Sequence, residues 1–565
     1  MIHSIDPRQP GLFDPYRTLL SQAAYKRIRN GWQGVFRHAI LELMPVDAIS
    51  GHFNPVLGRP TKELYSMAGL VFLMEFRNWT EEEAVEAYMF DNGVGYALNL
   101  PVYERSLSTR TLERYVRHFH EDELAAGVLQ EVTQRLVELL ELDLRVQRKD
   151  STHVFSQMAQ FGRTRLMGVT IKRFLTQVKR HDEARYQALP EDFRKRYEPS
   201  EHRIFADCAK GDEVRRQLRQ TVAEDMQRLL EWFGDDACHN QRSTFRALAK
   251  VFEQQCEVVE SKVEVKKHPG GDVIQNPSDE EAGRDGHKGP GYQVQLSETC
   301  SPANEVQLIT GALPQSAAEH DGNSVKPMME QLDSIGLLPS VLLADTHYGS
   351  DENVQYCAQQ GIELVSPVSG TPPEEGALTI GDFTVDLPSE EVRICPAGHA
   401  PLQSRHDTET GKTRTEMDAT LCASCPSRER CPMKARGSHH SMEHTAKQRR
   451  LDTRRRYQAT PEFKKRYALR NGIESTNSGL KRRPGLGRLR VRRRRSVFHS
   501  ILLKVGGWNI QRAAASKKMR AWVAQKMENQ WDPLMDLILH ICTLVLHEVS
   551  YHLGVSPRHI SAQAA

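Results

Sequence analysis

Apolar residues recur at helical spacing through Leu64, Met67, Ala68, Phe72 and Leu73, and this predicts a helix with Thr61 as its N-cap. Thr80 followed by three glutamates predicts a second helix. STRTLERYVRHFHE predicts a third, short and basic, carrying Arg110, Arg114 and Arg117. Residues 1–135 therefore read as helical. The period then changes. Leu144, Val146 and Val154 frame an alternating run over 142–157, a strand with Asp150 at its centre. Residues 161–260 return to helical spacing with dense charge of both signs, a helical insert. A Gly- and Pro-rich loop follows. Then come strands in GYQVQLSET and NEVQLITGALPQSA, a helix stopping at Gly336, and a buried strand over 341–344 that ends at Asp345. DENVQYCAQQGIELVSPV reads as helix and strand. The order is strand, helical insert, strand, strand, helix, strand, helix, strand. In open α/β sheets, ligands gather at the carboxyl ends of strands, where Asp345 falls.

Composition adds little until it is localised. The 565 residues suffice for two to four domains, and 39% hydrophobic with 26% charged residues supports ordinary cores. A net charge of +3 does not by itself point to a polyanion. Between Ala446 and Arg495, however, 19 Lys or Arg face only three acids, and Phe463, Tyr467, Leu469, Ile473 and Leu480 are interleaved, which argues for an ordered basic surface. Nine of the fifteen residues from 481 to 495 are basic, including Lys481, Arg482 and Arg483; such a run binds phosphates without reading sequence. No apolar run reaches the roughly 18 residues of a membrane span. The nearest, PLMDLILHICTLVLHEV, carries Asp536, His540, His547 and Glu548 and reads as a buried or oligomer-forming helix. The N-terminus lacks a leader pattern, so a cytoplasmic protein without membrane partners is expected. Ten cysteines then read as thiols or metal ligands. Cys395 in CPAGH and Cys422, Cys425 and Cys431 in CASCPSRERC could form a tetrahedral zinc site, with His399 as a substitute ligand. Four protein ligands would make that zinc structural.

The stretch YALRNGIESTNSGLK, 467–481, holds one acid, Glu474, among bases. Tyr467, Arg470, Glu474 and Lys481 would fall within about 60° of one another on a single α-helix. A carboxylate beside these groups can hold a metal while its neighbours grip phosphate. The four residues also resemble, without a gap, the signature around the last catalytic acid of DDE insertion-sequence transposases. Asp150 and Asp345 stand where that family has its first two acids. LADTHYGS is similar to the family's Asp-x-Gly-Tyr turn, with His347 replacing the glycine. The resemblance spans most of 55–510, and a cysteine-rich insert at this place occurs in one branch of the family.

The resemblance implies an α/β catalytic core of ribonuclease-H-like fold built from 140–160, 261–368 and 446–515. A helical N-terminal DNA-binding domain (1–135), a helical insert (161–260), a small zinc-binding insert (369–445) and a C-terminal helical tail (516–565) would complete the chain. A helical dimerisation bundle fits the N-terminal pattern equally well. Asp150, Asp345 and Glu474 would hold two Mg²⁺ or Mn²⁺ ions. Tyr467, Arg470, Lys481, Arg482 and Arg483 would contact DNA. Asp143, Asp279 and Asp351 rank lower as ligands, because none lies in a matching motif. The expected activity is cleavage at the ends of an insertion sequence and strand transfer to target DNA, by a dimer or higher oligomer on bacterial, nucleoid-associated DNA. A nuclease without joining activity, or a DNA-binding protein that no longer cuts, would share many of these features.

Overall fold

The computed structural model describes residues 1–9, 14–103, 105–200, 204–205, 211–270, 273–528, 540–542 and 544–545. Most of the apolar stretch expected near the C-terminus, 533–549, lies outside the described residues.

The N-terminal part is helical. Helix α1 (Leu64–Arg77) is capped by Glu63, not by Thr61. The Glu63 carboxylate accepts from the backbone of Tyr65 and Ser66, satisfying two N–H groups at once, while the Thr61 hydroxyl is taken by the backbone of His3. Helix α2 (Glu81–Phe90) has the expected capping box between Thr80 and Glu83. Helix α3 (Thr109–Glu121) turns Leu112, Tyr115 and Phe119 inward and leaves Arg110, Arg114 and Arg117 exposed. Helix α4 (Ala125–Leu140) leads to the sheet.

Strand β1 (Val146–Val154) has Asp150 at its middle. Helices α5 (Arg163–His181), α6 (Asp212–Phe233) and α7 (Ser243–Gln255) follow and pack around a core of their own. The sheet resumes with β2 (Gly289–Thr299) and β3 (Ile309–Ser316), then α8 (Val325–Ser334), β4 (Val341–Leu343), α9 (Asp351–Gln359) and β5 (Glu363–Val365). The strand order is β3-β2-β1-β4-β5; a short strand, Gly283–Asp285, adds to the start of β2. The first three strands run antiparallel to one another, whereas β1, β4 and β5 are parallel. Parallel pairing brings the end of β4, and hence Asp345, beside the middle of β1.

Residues 403–445 form a separate four-stranded sheet from β6 (Gln403–Asp407), β7 (Lys412–Asp418), β8 (Lys434–Arg436) and β9 (His439–Thr445). Its small core includes Met417, Met433 and Met442, with Cys395, Cys422 and Cys431 packed against it. Helices α10 (Ala446–Ala459), α11 (Pro461–Tyr467) and α12 (Gly472–Arg482) then return to the main sheet. The long α13 (Arg494–Ala515) is buried on nearly all sides. Leu480, Ile501, Val505 and Trp508 cover one face of the sheet with Val294 and Leu296, while α8 covers the other through Met328 and Leu332. Leu503 and Ile510 of α13 also enter the core of the N-terminal helices.

Residues 467–481 are not one helix. A 3-10 turn, Ala468–Asn471, separates α11 from α12. The break lets Arg470 point at the sheet while Gly472 passes against the Arg148 guanidinium, where a β-carbon would collide. The narrow stripe expected of a continuous helix is therefore not formed as such, although Arg470 and Glu474 remain neighbours.

Candidate active site

Three elements far apart in sequence meet at Arg470. Its guanidinium lies 3.2 Å from Asp150 on β1, 3.7 Å from Asp345 just past β4, and 3.8 Å from Glu474 in the first turn of α12. The three acids thus converge on one cation, and no three metal-ligating groups among them stand within 4.8 Å of one another. Asp150 is mostly buried; its second oxygen accepts from Asn477 Nδ2 at 3.0 Å. Glu474 is open to solvent, with 71% of its side chain exposed, so the cluster has a buried floor and an open mouth. Burial pushes the Asp150 carboxyl up; Arg470 opposes this, and Asp345 and Asp321 reinforce it.

The neighbourhood is fixed by a buried ion pair. Arg148, two residues before Asp150, donates to Glu298 on β2 at 2.7 Å and to the carbonyl of Leu469 at 2.9 Å. The other Glu298 oxygen accepts from Thr476 at 2.7 Å. Sheet, 3-10 turn and α12 are thereby tied at one point, and the position of Glu474 follows from it.

Behind the acids lies a polar layer that sequence reasoning missed. The Lys149 ammonium donates to Gln295 at 2.8 Å and Ser324 at 2.7 Å and sits 4.5 Å from the Tyr348 ring centre. Burial pulls it down to about 7, against the pull of Asp321, Asp150 and Asp345. Asp321 accepts from Gln295 at 2.6 Å and from Ser151 at 3.2 Å. No motif announces these residues. The one available signal was the lysine beside Asp150, an odd residue for a strand centre.

The turn after β4 accommodates His347 without strain. The Asp345 carboxylate accepts from the His347 backbone at 2.9 Å and opens a 3-10 turn, Thr346–Tyr348. His347 does not adopt a positive φ, so the turn does not need the glycine it replaces. The acids ranked lower are engaged elsewhere: Asp143 with Arg145, Asp279 with Ser156 and Tyr292, and Asp351 with Arg450.

Of the expected DNA-contacting residues, Lys481, Arg482 and Arg483 are exposed at the end of α12. Tyr467 is half-buried and stacks on Phe463, ring centres 5.4 Å apart. Burial pushes its phenol up. In the cysteine-rich insert, Cys395, His399, Cys422, Cys425 and Cys431 line one pocket. The His399 backbone donates to the Cys395 sulfur at 3.4 Å. Burial pushes the Cys422 and Cys431 thiols up. No three of the sulfurs stand within 4.8 Å of one another. The donor type is that of a thiolate-bound ion, whereas the spacing is not: the sulfurs would have to draw in to close around one.

No helix among the described residues is long and apolar enough to cross a membrane. No curated protein and no solved structure matches the chain. Residues 394–514 match a family model described as a transposase DDE domain. That segment contains the four cysteines, Arg470, Glu474, the basic run and nearly all of α13; the domain implies a ribonuclease-H-like core, with which the observed strand order agrees. Over that segment the chain is similar to the DDE domain of transposases.

Proposed function

We propose that this protein binds the terminal inverted repeats of an insertion sequence and catalyses metal-dependent cleavage and strand transfer of DNA. The observation that carries the reading is the convergence of Asp150, Asp345 and Glu474, from three separate elements, on the single guanidinium of Arg470. Oxygen-only donors suit Mg²⁺ or Mn²⁺, two per site, held by these acids, whose three carboxylates outnumber the one guanidinium among them. Such ions supply activation of the attacking water or 3′ hydroxyl and stabilisation of the leaving oxygen.

The chain's own residues do the rest. The Arg148–Glu298 pair and Asn477 hold Asp150 and α12 in register. Arg470 is placed to exchange its carboxylate contacts for a phosphate. Lys481, Arg482 and Arg483 extend a basic rim along which the backbone of double-stranded DNA can lie. Exposed Arg110, Arg114 and Arg117 on α3 suit contact with the element ends. Both ends must be brought together, so the working form is a dimer or higher oligomer on nucleoid DNA. The thiols of Cys395, Cys422, Cys425 and Cys431 hold a structural Zn²⁺ in this reading.

The test is Mg²⁺-dependent cleavage and joining of a DNA carrying the element's ends, comparing the wild type with Glu474→Gln. Exposed Glu474 tolerates this change structurally, so binding should persist while both reactions fall by at least about 100-fold. Cleavage without joining in the wild type would assign a nuclease. Tight binding without cleavage would assign a non-cutting DNA binder.

A further inference from the structure

We infer a second metal centre, for a zinc-class divalent ion, formed by His52, His118 and Glu121 at the C-terminal end of the basic helix α3. It is independent of the acid cluster and of the cysteine-rich insert. The ligand atoms of these three residues lie within 4.8 Å of one another, the only such grouping among the described residues. The His52 and His118 rings stack with centres 3.9 Å apart and planes 22° from parallel. Glu121 Oε2 is 3.5 Å from His118 Nδ1.

Several features mark this as a built arrangement. Both ring nitrogens of His118 are shielded from solvent; Nδ1 has only the Glu121 carboxylate at 3.5 Å, and Nε2 has no hydrogen-bond partner. Buried polar atoms are ordinarily satisfied, so an unpartnered imidazole calls for a missing partner. Phe53 meets the His118 ring edge-on at 5.6 Å, and Phe53 and Tyr115 pack at 5.5 Å, which holds the rings in place. Asp122 pairs with Nε2 of His52 at 2.7 Å, the carboxylate–histidine contact that orients a ring and raises its basicity as a ligand. Two imidazoles and a carboxylate are a zinc-type donor set, and a cation there complements the negative end of the α3 dipole.

The consequence is mechanical. His52 follows the short helix Val46–Ser50, whereas His118 and Glu121 end the helix that carries Arg110, Arg114 and Arg117. An ion at this point clasps the two segments and fixes the pitch of the basic face.

The test uses the full-length chain dialysed against Zn²⁺ and then against metal-free buffer, with zinc counted per chain. The wild type should retain one equivalent more than His52→Ala, and Zn²⁺ should raise its melting temperature more. In parallel, Co²⁺ substitution reports the cysteine insert through its thiolate charge-transfer band, which His52→Ala should leave unchanged. Glu121→Gln, on an exposed side chain, serves as the second variant should His52→Ala fail to fold. Equal zinc content and an equal melting shift in the wild type and the folded variant would overturn the inference.

Discussion

Arg470 is the residue around which the candidate site is arranged. It is the one cation that Asp150, Asp345 and Glu474 share, and it opposes the upward push that burial gives the Asp150 carboxyl. Replacing it with methionine leaves the three acids facing one another without the guanidinium that contacts all of them. Because Glu474 is exposed and Asp345 partly so, the loss is smaller than for a fully buried pair, about 1–3 kcal/mol at neutral pH. Added Mg²⁺ should then stabilise Arg470→Met more than the wild type, since the ion no longer competes with a guanidinium. Melting curves with and without Mg²⁺ decide it: equal shifts in the two proteins would show that Arg470 does not neutralise the site. At this scale the sequence was informative where a motif spoke. Asp150, Asp345, Glu474 and Arg470 were all legible. Asp321, Lys149, Gln295 and Asn477 were not, because their meeting depends on which strands pair, and no local pattern encodes that.

At the scale of elements, the site is a junction. The strand β1, the 3-10 turn and α12 are joined by the buried Arg148–Glu298 pair, whose partners are also bound by Leu469 and Thr476. Periodicity predicted β1, the two antiparallel strands and the parallel pair in the correct order. It failed at 467–481, where helical spacing continues across a real break. There a 3-10 turn interrupts the α-helical pattern, and beyond it Gly472 lies against the Arg148 guanidinium and Gly479 against the Trp508 ring, close approaches that a β-carbon would obstruct. Arg148→Met should therefore cost about 3–5 kcal/mol, because it strands the Glu298 carboxylate in the interior. Adding Glu298→Leu to it should recover much of the loss in urea midpoint while leaving cleavage impaired, since α12 would still lack its tether to β1. Full recovery of both would mean that the pair contributes charge balance only.

At the scale of the molecule, the two ends of the described chain are welded together. Helix α13 supplies Leu503 and Ile510 to the core of the N-terminal helices, and the Lys504 ammonium lies 3.4 Å from the Glu75 carboxylate of α1 while donating to the Glu75 carbonyl at 2.9 Å. Ser500 donates to the same carboxylate at 2.6 Å. A helix apolar on nearly all sides, as α1 is, announces burial but not its partner, and the polar residues of α13 do not say where they are buried, so this joint was invisible in the sequence. Its electrostatics give it a pH signature. Burial pushes the Glu75 carboxyl up, but Lys504, His499 and Ser500 outweigh burial and hold it below its ordinary 4.5. A depressed carboxyl stabilises the fold above its unfolded value, and that contribution drains away as the pH falls through the folded value. In Lys504→Met the carboxylate is buried without its cation, so the variant should lose about 3–5 kcal/mol at pH 7. Acid should then protonate Glu75 more readily in the variant than in the wild type and relieve the stranded charge. The gap between the two proteins in urea midpoint should accordingly be widest near neutrality and begin to narrow while the pH is still above 4.5, since burial without the cation lifts the variant's carboxyl past its ordinary value. A gap that stays constant from neutral to acid pH would show that Lys504 acts there through packing of its stem, not through its charge, and the joint between the N-terminal helices and α13 would then rest on apolar contact and neutral hydrogen bonds such as that of Ser500.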